Sequence, residues 1–256
     1  MEETKLAKTM KYELIRSKIT LLVLGGVLGG SELIFLLGLM SDSGSLTGLG
    51  ILFLTMSAAV GYFTIWLLGL ISFSKDLRQK SGYMIFLTPV SPYKIIIAKL
   101  LVGMIELFAT AAAIIALATL DLAMLTNKYE QVQMLRSLSR IMGVAENNLA
   151  GVFVALLLTY AVSVLALYAI AYFASAFAAM LTSSKGGQKG LTVVLIIVIL
   201  IIYGAIRIAL TGKEIVFYST VWERVKTEIP ATIFSFLIAA AFTFLTGHLV
   251  DKKVSL

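Results

Sequence analysis

The 256 residues contain no cysteine, one histidine and three prolines. Without cysteine there are no disulfides, no thiolate-held iron–sulfur cluster and no thiol catalysis. The lone imidazole, His248, reads as an interfacial residue. No H-E-x-x-H run accompanies it, and no paired glutamate motif lies inside an apolar run, so metal-hydrolase and intramembrane-enzyme chemistry lack their residues. No G-x-x-x-x-G-K-[ST] run occurs either. The nearest approach, SSKGGQKGLT at 183–192, lacks that spacing and reads as a basic turn between spans. The chain is therefore expected to carry no catalytic residue, no metal and no cofactor of its own.

Charge is also scarce. Only 14% of residues are charged and 59% are hydrophobic, against about 25% and about 45–50% in soluble domains. Mean hydropathy is +0.98. These departures point to lipid as the main solvent. The net charge of +7 does not indicate nucleic acid, because the charges gather at the ends of apolar runs.

Six such runs stand out, at about 19–40, 49–73, 99–125, 150–182, 191–211 and 230–250. Each reaches the roughly 20 residues a transmembrane helix needs. The fold class expected is an all-α integral membrane protein with six spans, forming a single transmembrane domain over 1–256. All three prolines fall outside span interiors, with Pro230 expected at the first turn of span six, where its missing N–H costs nothing. The opening residues are polar for too long to form a secretory signal, so the first span is expected to direct targeting.

Lysine and arginine set the orientation. With the N-terminus inside, fourteen of the 21 lie on inner segments: Lys5, Lys8, Lys11, Arg16, Lys18, Lys75, Arg78, Lys80, Lys94, Lys99, Lys185, Lys189, Lys252 and Lys253. The outer loops hold Lys128, Arg136, Arg140, Lys213, Arg224 and Lys226. This asymmetry favours both ends inside.

Residues 1–18 read as an amphipathic connecting helix lying on an anionic leaflet, with Leu6, Met10 and Leu14 on one face; the competing description is a solvated basic tail. The outer segments 129–143 and 220–229 also look helical, with Thr220 and Glu223 at capping-box spacing. Gly25, Gly26, Gly29 and Gly30 form overlapping small-xxx-small pairs in span one, suited to internal packing or to a subunit interface.

The segment FSKDLRQKSGYMIFLTPVSPYKIIIAK, 73–99, is too organised for a plain connector. A short helix is expected from Ser74 to about Leu87, ended by Thr88-Pro89. Ser91 then reads as an N-cap with Pro92 at the first helical position. The product is a helix–break–helix elbow at the membrane face.

Residues 72–99 resemble the coupling region of permease subunits in ABC-2 type ATP-binding-cassette exporters. The resemblance rests on Asp76, on Arg78 and Lys80, on Gly82-Tyr83, on Thr88-Pro89-Val90-Ser91 and on Lys99. The layout is similar too: a connecting helix at 1–18, six spans, a coupling segment at 74–91 and an outer amphipathic hairpin at 212–229. Within the family, the small size is most similar to bacterial exporters of peptides or antibiotics, such as the permeases of phenol-soluble-modulin-type toxin exporters.

The resemblance implies a bacterial cytoplasmic membrane and a separate ATPase subunit holding ATP and Mg. It also implies a second copy or a similar permease, and a peptide or amphipathic substrate. Asp76, Lys80, Gly82, Tyr83, Phe86, Pro89 and Ser91 are then the residues expected to couple to the ATPase. The rivals are an ATP-independent secondary carrier and a membrane scaffold.

Three charges fall inside spans, where each costs about 2.5–3.5 kcal/mol at the bilayer centre. Glu32 stands 14 residues past Lys18 and Arg207 stands 18 past Lys189, about 21 and 27 Å of helix. Their similar depth suggests a pair, within one subunit or across a dimer. Glu106, seven past Lys99 and about 10 Å deep, suits the wall of a substrate path. Snorkelling or a structural hydrogen bond is the plain alternative for all three.

Overall fold

The computed structural model describes residues 3–78, 90–129, 149–182, 184–211 and 221–254. The described residues form six α-helices: α1 (Glu3–Met40), α2 (Gly44–Arg78), α3 (Pro92–Tyr129), α4 (Leu149–Leu181), α5 (Lys185–Thr211) and α6 (Val221–Val254). All six are long and apolar enough to cross a membrane.

Their outer surfaces confirm which solvent they suit. Leu22 is 70% exposed, Ile201 66% and Phe244 64%. Large apolar side chains on the outside of a stable bundle belong against lipid.

The helices alternate in direction, so the described N- and C-terminal ends lie together. Two connections are very short. Between α1 and α2 the chain turns over 41–43: the Ser43 N–H donates to the Gly38 carbonyl at 3.2 Å, and Asp42 takes a left-handed φ of 51°. That is a Schellman arrangement with aspartate where glycine is usual. Between α4 and α5, Ser184 is the N-cap: its Oγ accepts from the Gly187 N–H at 3.2 Å and its carbonyl from the Gln188 N–H at 3.0 Å. Most of the basic turn expected over 183–192 is thus already helix, and Lys189 stands on α5.

Three helix boundaries depart from expectation. Residues 3–18 are helical, but they continue into the first span without a break because no proline or glycine interrupts them. The expected short helix at Ser74 is, as far as Arg78, the last turn of α2. Pro230 lies inside α6, not at its first turn. The helix starts nine residues earlier, and proline removes one i→i−4 hydrogen bond from its interior. The segments 130–148 and 212–220 lie outside the described residues, and with them nearly all of the outer helix expected over 129–143; of the one expected over 220–229, residues 221–229 are helical and run without a break into span six as part of α6.

Helix α4 is the hub. It packs on α2 and α3 through one cluster that includes Ile65, Phe73, Ile96, Leu107, Tyr168 and Tyr172. It packs on α5 and α6 through Ala166, Ala169, Ile170, Tyr203 and Ala239. Its alanines let these neighbours approach closely. The rings of Phe73 and Tyr172 stack at 4.7 Å.

Tyr168 fits only because Gly69 and Gly103 leave room for its ring. Its hydroxyl is buried with no hydrogen-bond partner among the described residues, whereas the Tyr172 hydroxyl donates to the Gly69 carbonyl at 3.2 Å. A buried unpaired hydroxyl costs about 1–3 kcal/mol. Tyr168→Phe is therefore expected to raise thermal stability, and to soften the clash of a Gly69→Ala change made alongside it. A parent that melts above Tyr168→Phe would refute this account of the core.

Candidate functional site

The strongest concentration of buried charge lies at the end of the bundle that carries both described termini. Glu13, Arg16 and Ser17 stand at i, i+3 and i+4 on α1, one face of that helix. Asp76 stands near the end of α2, and Lys99 and Glu106 lie two turns apart on α3.

Four of these groups form a closed set. Lys99 Nζ lies 2.6 Å from Glu13 Oε1 and 2.5 Å from Asp76 Oδ2. Arg16 reaches the other Asp76 oxygen at 2.7 Å and Glu13 Oε2 at 3.8 Å. Asp76 is wholly buried, Lys99 is 3% exposed and Glu13 7%. Burial of single ions at this depth is prohibitive, but two cations matched to two anions remove the net charge and share each proton donor among acceptors. The set ties α1, α2 and α3 at one point.

Beside it, Ser17 Oγ donates to Glu106 Oε1. Glu106, Lys99, Arg16 and Ser72 help wall a cavity of about 160 Å³ between the same three helices. Glu106 thus lines a local cavity and takes a hydrogen bond from Ser17, the plain alternative set beside the path wall.

The ion set stands on either side of residues 79–89, which lie outside the described residues. Asp76 lies three residues before residue 79. Ser91 begins α3, its carbonyl accepting from the Lys94 and Ile95 N–H groups at 3.0 and 3.3 Å, and Pro92 is the first helical residue. Lys99 follows two turns later. Of the expected coupling residues, Asp76 faces inward to Arg16 and Lys99, so its carboxylate is unavailable as a docking group. Ser91 is exposed. Lys80, Gly82, Tyr83, Phe86 and Pro89 lie outside the described residues.

The expected Glu32–Arg207 pair does not form within one subunit. Arg207 lies 3.9 Å from Glu228 on α6. Glu32 meets the carboxyl of Asp121 on α3. Similar depth was a poor guide because α1 packs on α2 and α3, whereas α5 packs on α4 and α6. The four glycines of α1 are likewise not internal packing residues: a Cβ added at Gly25, Gly26, Gly29 or Gly30 meets nothing.

Glu13 and Arg16 had no distinguishing mark in sequence beyond their i, i+3 spacing, and Lys99 was marked only as the last residue of the coupling-region resemblance, not as a partner of Glu13. Asp121 carried one signal, a carboxylate near the end of the apolar run 99–125.

The exterior and the six spans define an all-helical, multi-pass membrane protein. No protein-family model matches the chain, and neither a curated protein nor a solved structure does.

Proposed function

We propose that the chain is the membrane-spanning permease subunit of an ATP-driven exporter, with both ends in the bacterial cytoplasm and its ATPase on a separate polypeptide. The observation that carries this is the buried ion set at the foot of the elbow. A soluble partner pressing on 79–91 would act on α2 through Asp76 and on α3 through Ser91 and Pro92. Lys99 and Arg16 would pass the displacement to α1 without any further contact. The resemblance of 72–99 to ABC-2 coupling regions supports the same assignment. It also supports ATP and Mg on the partner, a second copy of this chain across the path, and a peptide, antibiotic or other amphipathic cargo.

Affinity purification in mild detergent tests it. A nucleotide-binding subunit is expected to co-purify with the parent chain and to be lost with Tyr83→Asp. A chain that emerges with no nucleotide-binding partner would overturn the proposal.

One observation favours a second reading, an ATP-independent carrier: the Glu32–Asp121 carboxyl pair inside the spans, where proton-coupled transport places titrating groups. Transport that persists after ATP depletion would select it.

A further inference from the structure

Away from the ion set, α1, α2 and α3 line a second cavity of about 490 Å³, open along the side where Ile51 and Thr55 are exposed. Its wall is apolar: Leu28 and Phe35 from α1, Ile51 and Leu54 from α2, Ile114 and Leu117 from α3, with the Thr55 hydroxyl group the only uncharged polar side chain. One ionisable side chain opens into it, Asp121. Behind Asp121 stands Glu32, in carboxyl-to-carboxyl contact with it. Each is eight residues from its helix's far end, Met40 on α1 and Tyr129 on α3.

Glu32 Oε2 and Asp121 Oδ1 are buried, and no other group donates a hydrogen bond to them among the described residues. Among the described residues the cavity wall holds no lysine, arginine or histidine. Facing Glu32, the titratable group is Asp121; α2 presents Ile51, Leu54, Thr55 and Ala58 here, none of them titratable. Two adjacent carboxyls with no cation beside them among the described residues repel one another as anions and so favour a positively charged partner.

We propose that this cavity is a binding site for a lipophilic monocation, its apolar body against α1, α2 and α3 and its charge on the Asp121–Glu32 carboxyl pair. Apolar volume alone would accept any greasy molecule. The unpaired carboxyls select charge sign: a cation supplies the partner they lack, and an anion of the same shape meets only repulsion. None of this depends on the exporter assignment, because the site is complete within one chain.

The test uses the purified full chain in mild detergent and two probes of one shape. Tetraphenylphosphonium is the cation and tetraphenylborate the anion, each followed by equilibrium dialysis. The expected result is saturable binding of the cation, at least tenfold tighter than the anion. Glu32→Gln and Asp121→Asn should each weaken the cation at least tenfold, while Asp121→Glu retains it. Asp121→Glu also guards against a folding failure, because it keeps the charge while changing the packing. Equal binding of the two probes, or undiminished cation binding in both Glu32→Gln and Asp121→Asn, would overturn the proposal.

Discussion

Replacing Lys99 with methionine is expected to destabilise the chain by about 3–5 kcal/mol, the usual cost of breaking a buried ion pair from one side. The methionine fills much of the same volume, so packing is nearly conserved. What is lost is the cation closest to both Glu13 and Asp76 among the described residues, at 2.6 and 2.5 Å. Those two carboxylates would then share Arg16 alone, and the site would carry a net negative charge in a buried place.

The companion change identifies the cause. Lys99→Met combined with Glu13→Gln leaves the Arg16–Asp76 pair at 2.7 Å and restores neutrality. The double variant is expected to recover more than half of the loss. Lys75 is exposed one residue before Asp76, and Lys75→Met should shift stability by no more than about 0.5 kcal/mol. Thermal unfolding in detergent reads all three. A Lys99→Met chain that melts with the parent would show that this cluster does not hold the helices.

The second large effect concerns which glycines matter. A Cβ at Gly38 would land on the backbone of Thr47, and one at Gly50 on the backbone of Phe35. A side chain can rotate away from such a clash, but backbone cannot, so α1 and α2 must part. Gly50→Ala and Gly38→Ala are each expected to cost about 1–3 kcal/mol or more. Alanine at Gly25, Gly26, Gly29 and Gly30 meets open space and gains up to about 1 kcal/mol of helix propensity per site. The quadruple alanine variant should therefore melt at or above the parent. Cross-linking between copies of that variant then reports separately on whether the stripe is a subunit contact. A quadruple variant that melts well below the parent would mean the glycines pack within the chain.

The two glycine sets show how far the sequence could be followed. Six spans were legible because apolar runs of sufficient length have one solution in lipid, and the α3 start was legible because Ser91-Pro92 is a local signal. The tight α1–α2 approach was not, because Gly38 and Gly50 carry no small-xxx-small pattern and the contact is between helices. The conspicuous stripe at Gly25–Gly30 faces outward instead. The same division holds for charge. Glu32 was conspicuous by its depth, but its neighbour Asp121 lies 89 residues on, a separation that only helix packing could bridge. Pro230 looked like a helix start because proline is common there, yet Val221–Ile229 already form helix ahead of it.

The ion set bears on how the chain enters the bilayer. Orientation during insertion is read from lysine and arginine near span ends, while aspartate and glutamate count for little. In the finished bundle Glu13, Arg16, Asp76 and Lys99 sum to zero, but to the insertion machinery they are two positive charges, one on α1 and one on α3. Arg16 and Lys99 would thus act first as an address, keeping their helix ends on the side where insertion begins. Only when α2 brings Asp76 alongside do they become a clasp. A substitution of either residue would then disturb two events at different times, the threading of the chain and its later closure.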